Sequence, residues 1–79
     1  MQDISYEEIV YCNLYAEQVI KYYQRCNNGM LPMSRNDAEQ CIEEYDTSQH
    51  SFESLYGYNI DDYIDVIIET IGYMVSIEC

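Results

Sequence analysis

The stretch NIDDYIDVIIETIGYMVSI, Asn59 to Ile77, decides the fold. Asn59 can accept an orphan N–H at a helix start, and Asp61 and Asp62 follow where a first turn favours acids. Ile60, Ile64, Ile67, Ile71, Met74 and Val75 then recur at three- and four-residue steps, the period of one helical face. Beyond Asp65 the other faces are apolar too, through Val66, Ile68, Tyr73 and Ile77. A helix apolar nearly all round is one contacted from several sides, so this segment is expected at the centre of the domain. Its β-branched residues allow a strand over Tyr63 to Ile68, but neither alternation nor turn chemistry supports one.

Working back along the chain, Gly57 ends a short helix expected over Ser51 to Tyr56. Before it, Ser34-Arg35-Asn36-Asp37 opens a helix with a serine cap, and Asp46-Thr47-Ser48 is expected to break it. Its face is Ala38, Cys41, Ile42 and Tyr45, an i, i+3, i+4, i+7 set. Pro32, in the connector Met30 to Met33, biases Leu31 away from helix. Ser5-Tyr6-Glu7-Glu8 is a capping box for a first helix that runs to about Cys26 and stops at Asn27-Asn28-Gly29. Ile9, Cys12, Ala16, Val19, Ile20 and Tyr23 are its expected core stripe. The fold class is therefore all-α: a small bundle of three to four helices around a hydrophobic C-terminal helix, one acidic domain over residues 1–79.

Hydrophobic residues make up 48% and charged residues 23%, ordinary for a folded chain and not for a disordered one. The charge balance is unusual: fifteen Asp and Glu face only Lys21, Arg25 and Arg35, a net charge of −12. Such a field repels nucleic acid and anionic membranes and speeds encounter with basic surfaces. Met1-Gln2-Asp3-Ile4 has no basic, apolar leader character, and Val66 to Ile77 falls short of the ~20 residues of a membrane span. A cytoplasmic protein is expected, in the host cell if a phage encodes it. Cys12, Cys26, Cys41 and Cys79 form no CxxC pair and are expected as reduced thiols, three of them in the core.

Little catalytic chemistry is present. His50 lies in a polar stretch with no thiol at a spacing that suggests a pair. The cysteines lack zinc-site pairing, Gly29, Gly57 and Gly72 stand alone, and Asp61, Asp62 and Asp65 lack calcium-loop spacing. No metal, cofactor or enzymatic activity is expected.

The acids carry more information. Glu7, Glu8, Asp37, Asp61 and Asp62 sit in first turns, where the helix dipole favours them by ~0.3–1 kcal/mol each. Glu43, Glu44 and Asp46 crowd a last turn, where it opposes them. Glu39 with Glu43, and Asp61 with Asp65 and Glu69, repeat like charges at i, i+4, at a cost of roughly 0.2–0.5 kcal/mol a pair. The plain explanation is a solvated face. The functional one is recognition: carboxylates about 6 Å apart along a helix compare with phosphates advancing ~3.4 Å each along one strand. Glu39, Glu43, Glu44, Asp46, Asp61, Asp62, Asp65 and Glu69 are the candidate acidic contacts.

Ten tyrosines accompany one Phe and no Trp. Tyr23 and Tyr45 fall on core faces, whereas Tyr11, Tyr15 and Tyr22 form a stripe well away from the Ile9–Ala16–Ile20 face. Three uses compete for it: a second core face, self-association into a homodimer, or a partner-binding surface. Tyr56, Tyr58 and Tyr63, interleaved with Asp61 and Asp62, make a second candidate patch suited to holding arginine.

Small size, strong acidity and the absence of catalytic motifs resemble the phage-encoded DNA-mimic inhibitors, which include anti-CRISPR proteins, anti-restriction proteins and uracil-DNA glycosylase inhibitors. The resemblance is compositional, spans the whole chain and transfers no residue roles. It implies a stoichiometric inhibitor of a basic nucleic-acid-binding protein or complex: a Cas effector, a restriction enzyme or a nuclease. Two alternatives stand beside it. One is an immunity protein or antitoxin that caps a basic nuclease toxin. The other is a regulatory protein that binds through its tyrosine-rich surface. None of the three contacts nucleic acid or a membrane directly.

Overall fold

A computed structural model describes the backbone of residues 5–78 and the side chains of residues 5–75. Four helices make up most of it: α1 (Tyr6–Cys26), α2 (Arg35–Ser48), α3 (Phe52–Tyr56) and α4 (Ile64–Glu78). A single 3-10 turn, Ile60–Asp62, precedes α4. No strand occurs among the described residues, so the all-α expectation holds and the strand reading of Tyr63 to Ile68 does not.

The helix ends follow from the capping chemistry. Ser5 Oγ accepts from the Glu8 amide while a Glu8 carboxylate oxygen accepts from the Ser5 amide, the reciprocal box expected at α1. Asn28 (φ +56°) and Gly29 (φ +84°) turn the chain left-handed after α1, and Gly57 (φ +81°) does so after α3. Ser34 and Ser51 cap α2 and α3. α2 does not break at Asp46; it continues through Ser48. Thr47 and Ser48 hydroxyls bond back to the Glu43 and Glu44 carbonyls at 3.0 and 2.6 Å, so they sit inside the helix instead of competing with it.

The largest departure is at Asn59. Its Oδ1 accepts from the Asp61 amide and caps a helical start as expected, but the helix it opens is the single 3-10 turn and does not run on into α4. The chain bends at Tyr63 (φ −123°, ψ 0°) and α4 begins at Ile64. The bend drives the Tyr63 ring into the core, and its hydroxyl donates to Glu8 on α1.

α4 packs on both α1 and α2, and α1 runs ~31 Å along a molecule 34 Å in its longest dimension. The buried core comprises Cys12, Tyr15, Ala16 and Val19 of α1, the expected Ala38, Cys41, Ile42 and Tyr45 of α2, Phe52 of α3, and Tyr63, Ile67, Ile68 and Ile71. α4 is not enclosed all round: Gly72 and Tyr73 face solvent. Ile9 is 41% exposed and lies outside the core, because the true α1 stripe is Cys12–Tyr15–Ala16–Val19, itself an i, i+3, i+4, i+7 set. Of the three core thiols expected, the described residues supply two, Cys12 and Cys41; Cys26 is exposed and Cys79 lies outside the described residues.

Candidate binding face

Arg35, Glu39, Glu43 and Asp46 follow one another at four-, four- and three-residue steps, so they share one flank of α2. The far side of that flank is the 3-10 turn and the start of α4. At one end Arg35 Nη2 donates to Asp65 Oδ1 at 3.0 Å. At the other, Glu43 and Asp46 line a hollow of about 200 Å³ together with Asp61 and with Ile60 and Ile64. As α2 advances, its partners fall in number, so it runs antiparallel to residues 60–69. Glu39 lies on the same flank, one turn from both Arg35 and Glu43. The acidic segments on α2 and on residues 60–65 therefore share one face.

Not every acid belongs to it. Glu44 is on the opposite flank of α2, where it accepts from the Tyr22 hydroxyl of α1 at 2.8 Å. Asp61, Asp65 and Glu69 do not form one continuous helical row, because the bend at Tyr63 separates Asp61 from the helix that carries the other two. Asp65 falls in the first turn of α4 and pairs with Arg35, so both the helix dipole and a cation account for it. Glu69 lies exposed on α4 and Asp62 is exposed beside Asp61.

Asp46 has a structural task. Its Oδ1 accepts from the Phe52 amide at 2.9 Å and from the Tyr15 hydroxyl at 3.3 Å. A carboxylate near the C-terminal end of α2 thus supplies an acceptor to the N-terminus of α3, where the dipole favours it. The crowding of acids in that last turn is partly explained by this reach to the next helix.

Two aromatic candidates are corrected. Tyr15 is fully buried and Tyr63 nearly so, so neither offers a surface to a partner. Tyr15 packs edge-on against Phe52 and Tyr45 at 5.1 and 5.4 Å, and its hydroxyl also donates to the His50 carbonyl at 2.9 Å. Tyr11 stacks on Tyr56 at 4.7 Å and lies 6.1 Å from Tyr58, and Tyr22 meets Tyr45 at 5.5 Å. Tyr11, Tyr22, Tyr56 and Tyr58 are half-buried against the core. Of the three uses for the stripe, a second core face is the one this packing matches.

Titration follows contact. The hydrogen bond from Tyr63, then that from Ser5, holds the Glu8 carboxyl below its ordinary value. The same bond to Glu8, with burial adding to it, pushes Tyr63 up to about 12. Burial pushes the Cys12 and Cys41 thiols up to about 11 and raises Tyr15 further still. These are protonated, unreactive groups at neutral pH. No group of three or more His, Cys, Asp or Glu among the described residues could hold a metal ion, and none of the described helices is long and apolar enough to cross a membrane.

Sequence reasoning missed Arg35 and the isoleucines beside the acids. The i, i+4 spacing of Arg35, Glu39 and Glu43 was the available signal for the first; the second needed the bend at Tyr63. Compared with protein-family models, with curated proteins and with solved structures, the chain matches none.

Proposed function

We propose that this protein is a non-catalytic inhibitor that covers the cationic nucleic-acid-binding surface of a bacterial defence complex or nuclease, using the face formed by α2 and residues 60–69. The observation that carries this reading is the antiparallel run of α2 beside the 3-10 turn, which supports one continuous anionic face from Glu39, Glu43 and Asp61, with Glu69 farther along α4. Among the described residues, Arg35 makes the one ion pair on that face, while the chain as a whole carries −12. A cationic groove that releases counterions on gripping phosphates releases them equally on gripping this face. Burial of Tyr15 and Tyr63 weighs against the tyrosine-surface alternative.

The test is capture of partners from bacterial lysate on the immobilised protein, with and without excess duplex DNA and added salt. The expected result is a nucleic-acid-binding protein that DNA displaces and salt weakens. Capture that is indifferent to both DNA and salt contradicts the proposal. A captured nuclease that is toxic without this chain selects the immunity-protein version of the same surface.

A further inference from the structure

The hollow between α2 and the 3-10 turn has two chemistries in one place. Ile42 is fully buried and forms its floor, and the half-buried Ile60 and Ile64 form its apolar wall. Glu43 and Asp61 stand exposed at the rim. Asp46 completes the lining with a carboxylate already held in place by the bonds that its Oδ1 accepts from Tyr15 and Phe52. Among the described residues, none that is basic lines the hollow.

A long basic side chain matches that combination. Its methylene stem packs on apolar surface while its charged head stays among carboxylates. Arginine fits better than lysine because its planar, multiply donating head bonds several acceptors at once. The same face already holds one guanidinium: Arg35 reaches across from α2 to Asp65. At about 200 Å³ the hollow has room for a single side chain, not for a helix.

We propose that this hollow is a socket for one arginine side chain of the partner, an assignment that rests on the acidic-face reading and specifies its central contact. The Asp46 carboxylate is pre-ordered by the fold, so binding does not have to immobilise it. Glu43 and Asp61 close over the head from opposite sides of the seam.

The probe is a short peptide, acetyl-Gly-Arg-Gly-amide, titrated into the isotopically labelled protein and followed by methyl and amide NMR. A second peptide carries citrulline, which keeps the shape and removes the charge. Two double variants remove two negative charges each: Glu43→Gln with Asp61→Asn in the socket, and Glu39→Gln with Glu69→Gln outside it. None of these four carboxylates takes part in a hydrogen bond among the described residues, so both folds should persist. The expected result is a shift of the Ile60 and Ile64 methyls with the arginine peptide and not with citrulline. Affinity should fall about tenfold more in the socket variant than in the control, as expected for loss of charge-assisted hydrogen bonds. Equal weakening in the two variants overturns the socket and leaves the acidic face standing. Unchanged affinity in both overturns the socket and, with it, the acidic face as a binder of cations.

Discussion

Single residues settle which acids are structural. Asp46 accepts from Phe52 and Tyr15, so Asp46→Ala leaves the part-buried Phe52 amide short of its acceptor, while the Tyr15 hydroxyl keeps the His50 carbonyl. Stability should fall by ~1–3 kcal/mol in urea denaturation followed by circular dichroism. Glu39→Ala, on the same flank with no such bond, should change stability by less than ~0.5 kcal/mol. A binding defect in an Asp46 variant therefore reports on the fold as well as on the surface.

Glu8 ties the start of α1 to Tyr63, and its pH dependence has a definite sign. Its carboxyl is held below the ordinary glutamate value in the folded chain. The stabilisation is therefore present above that ordinary value and is lost as pH falls through the depressed folded one. The stability advantage of wild type over Glu8→Gln should be positive at pH 7 and shrink in acid. Tyr63 behaves in the opposite sense: its contribution is complete below the ordinary tyrosine value and is lost as pH rises towards about 12. Tyr63→Phe should abolish that alkaline loss, as measured by denaturation at stepped pH.

At the scale of elements, the caps and faces were legible in the sequence and the bend was not. Ser5, Ser34 and Gly57 each perform the end-chemistry expected of them, because capping depends on residues within one turn, and Ser51, expected as the first helical residue, is the cap of α3. The α2 face was equally local. Asn59 caps a helical start as expected, but nothing within one turn of it signals that this helix stops at Asp62 and that the chain bends at Tyr63, whose ring is buried in the core. Tyr15 was misplaced because Ile9 was given weight on the α1 stripe, although Cys12, Tyr15, Ala16 and Val19 already form the correct set. The shared acidic face was out of reach of periodicity altogether, since it depends on how α2 lies beside residues 60–69. Gly57 offers a direct check of one cap. A Cβ there meets nothing within 4 Å, so Gly57→Ala costs only the left-handed backbone, about 1 kcal/mol in thermal or urea unfolding.

Across the whole molecule, fifteen carboxylates against three basic residues set up two opposite responses to salt. Screening relieves repulsion within the chain, so the isolated protein is expected to gain stability as salt rises. The same screening weakens attraction to a cationic partner, so the complex is expected to lose affinity. Charge alone predicts both effects for any acidic chain, and the position of the charge is what distinguishes a binding face from a solvated surface. The most direct measurement compares two charge-reversed triples with the same net charge: Glu39→Lys, Glu43→Lys and Asp61→Lys on the face, and Glu7→Lys, Glu17→Lys and Glu53→Lys away from it. Binding to the captured partner is read by titration calorimetry, with circular dichroism to confirm that both triples fold. The face triple should abolish binding while the distant triple retains most of it. Equal loss in the two triples, or full binding by the face triple, would contradict the assignment of this face.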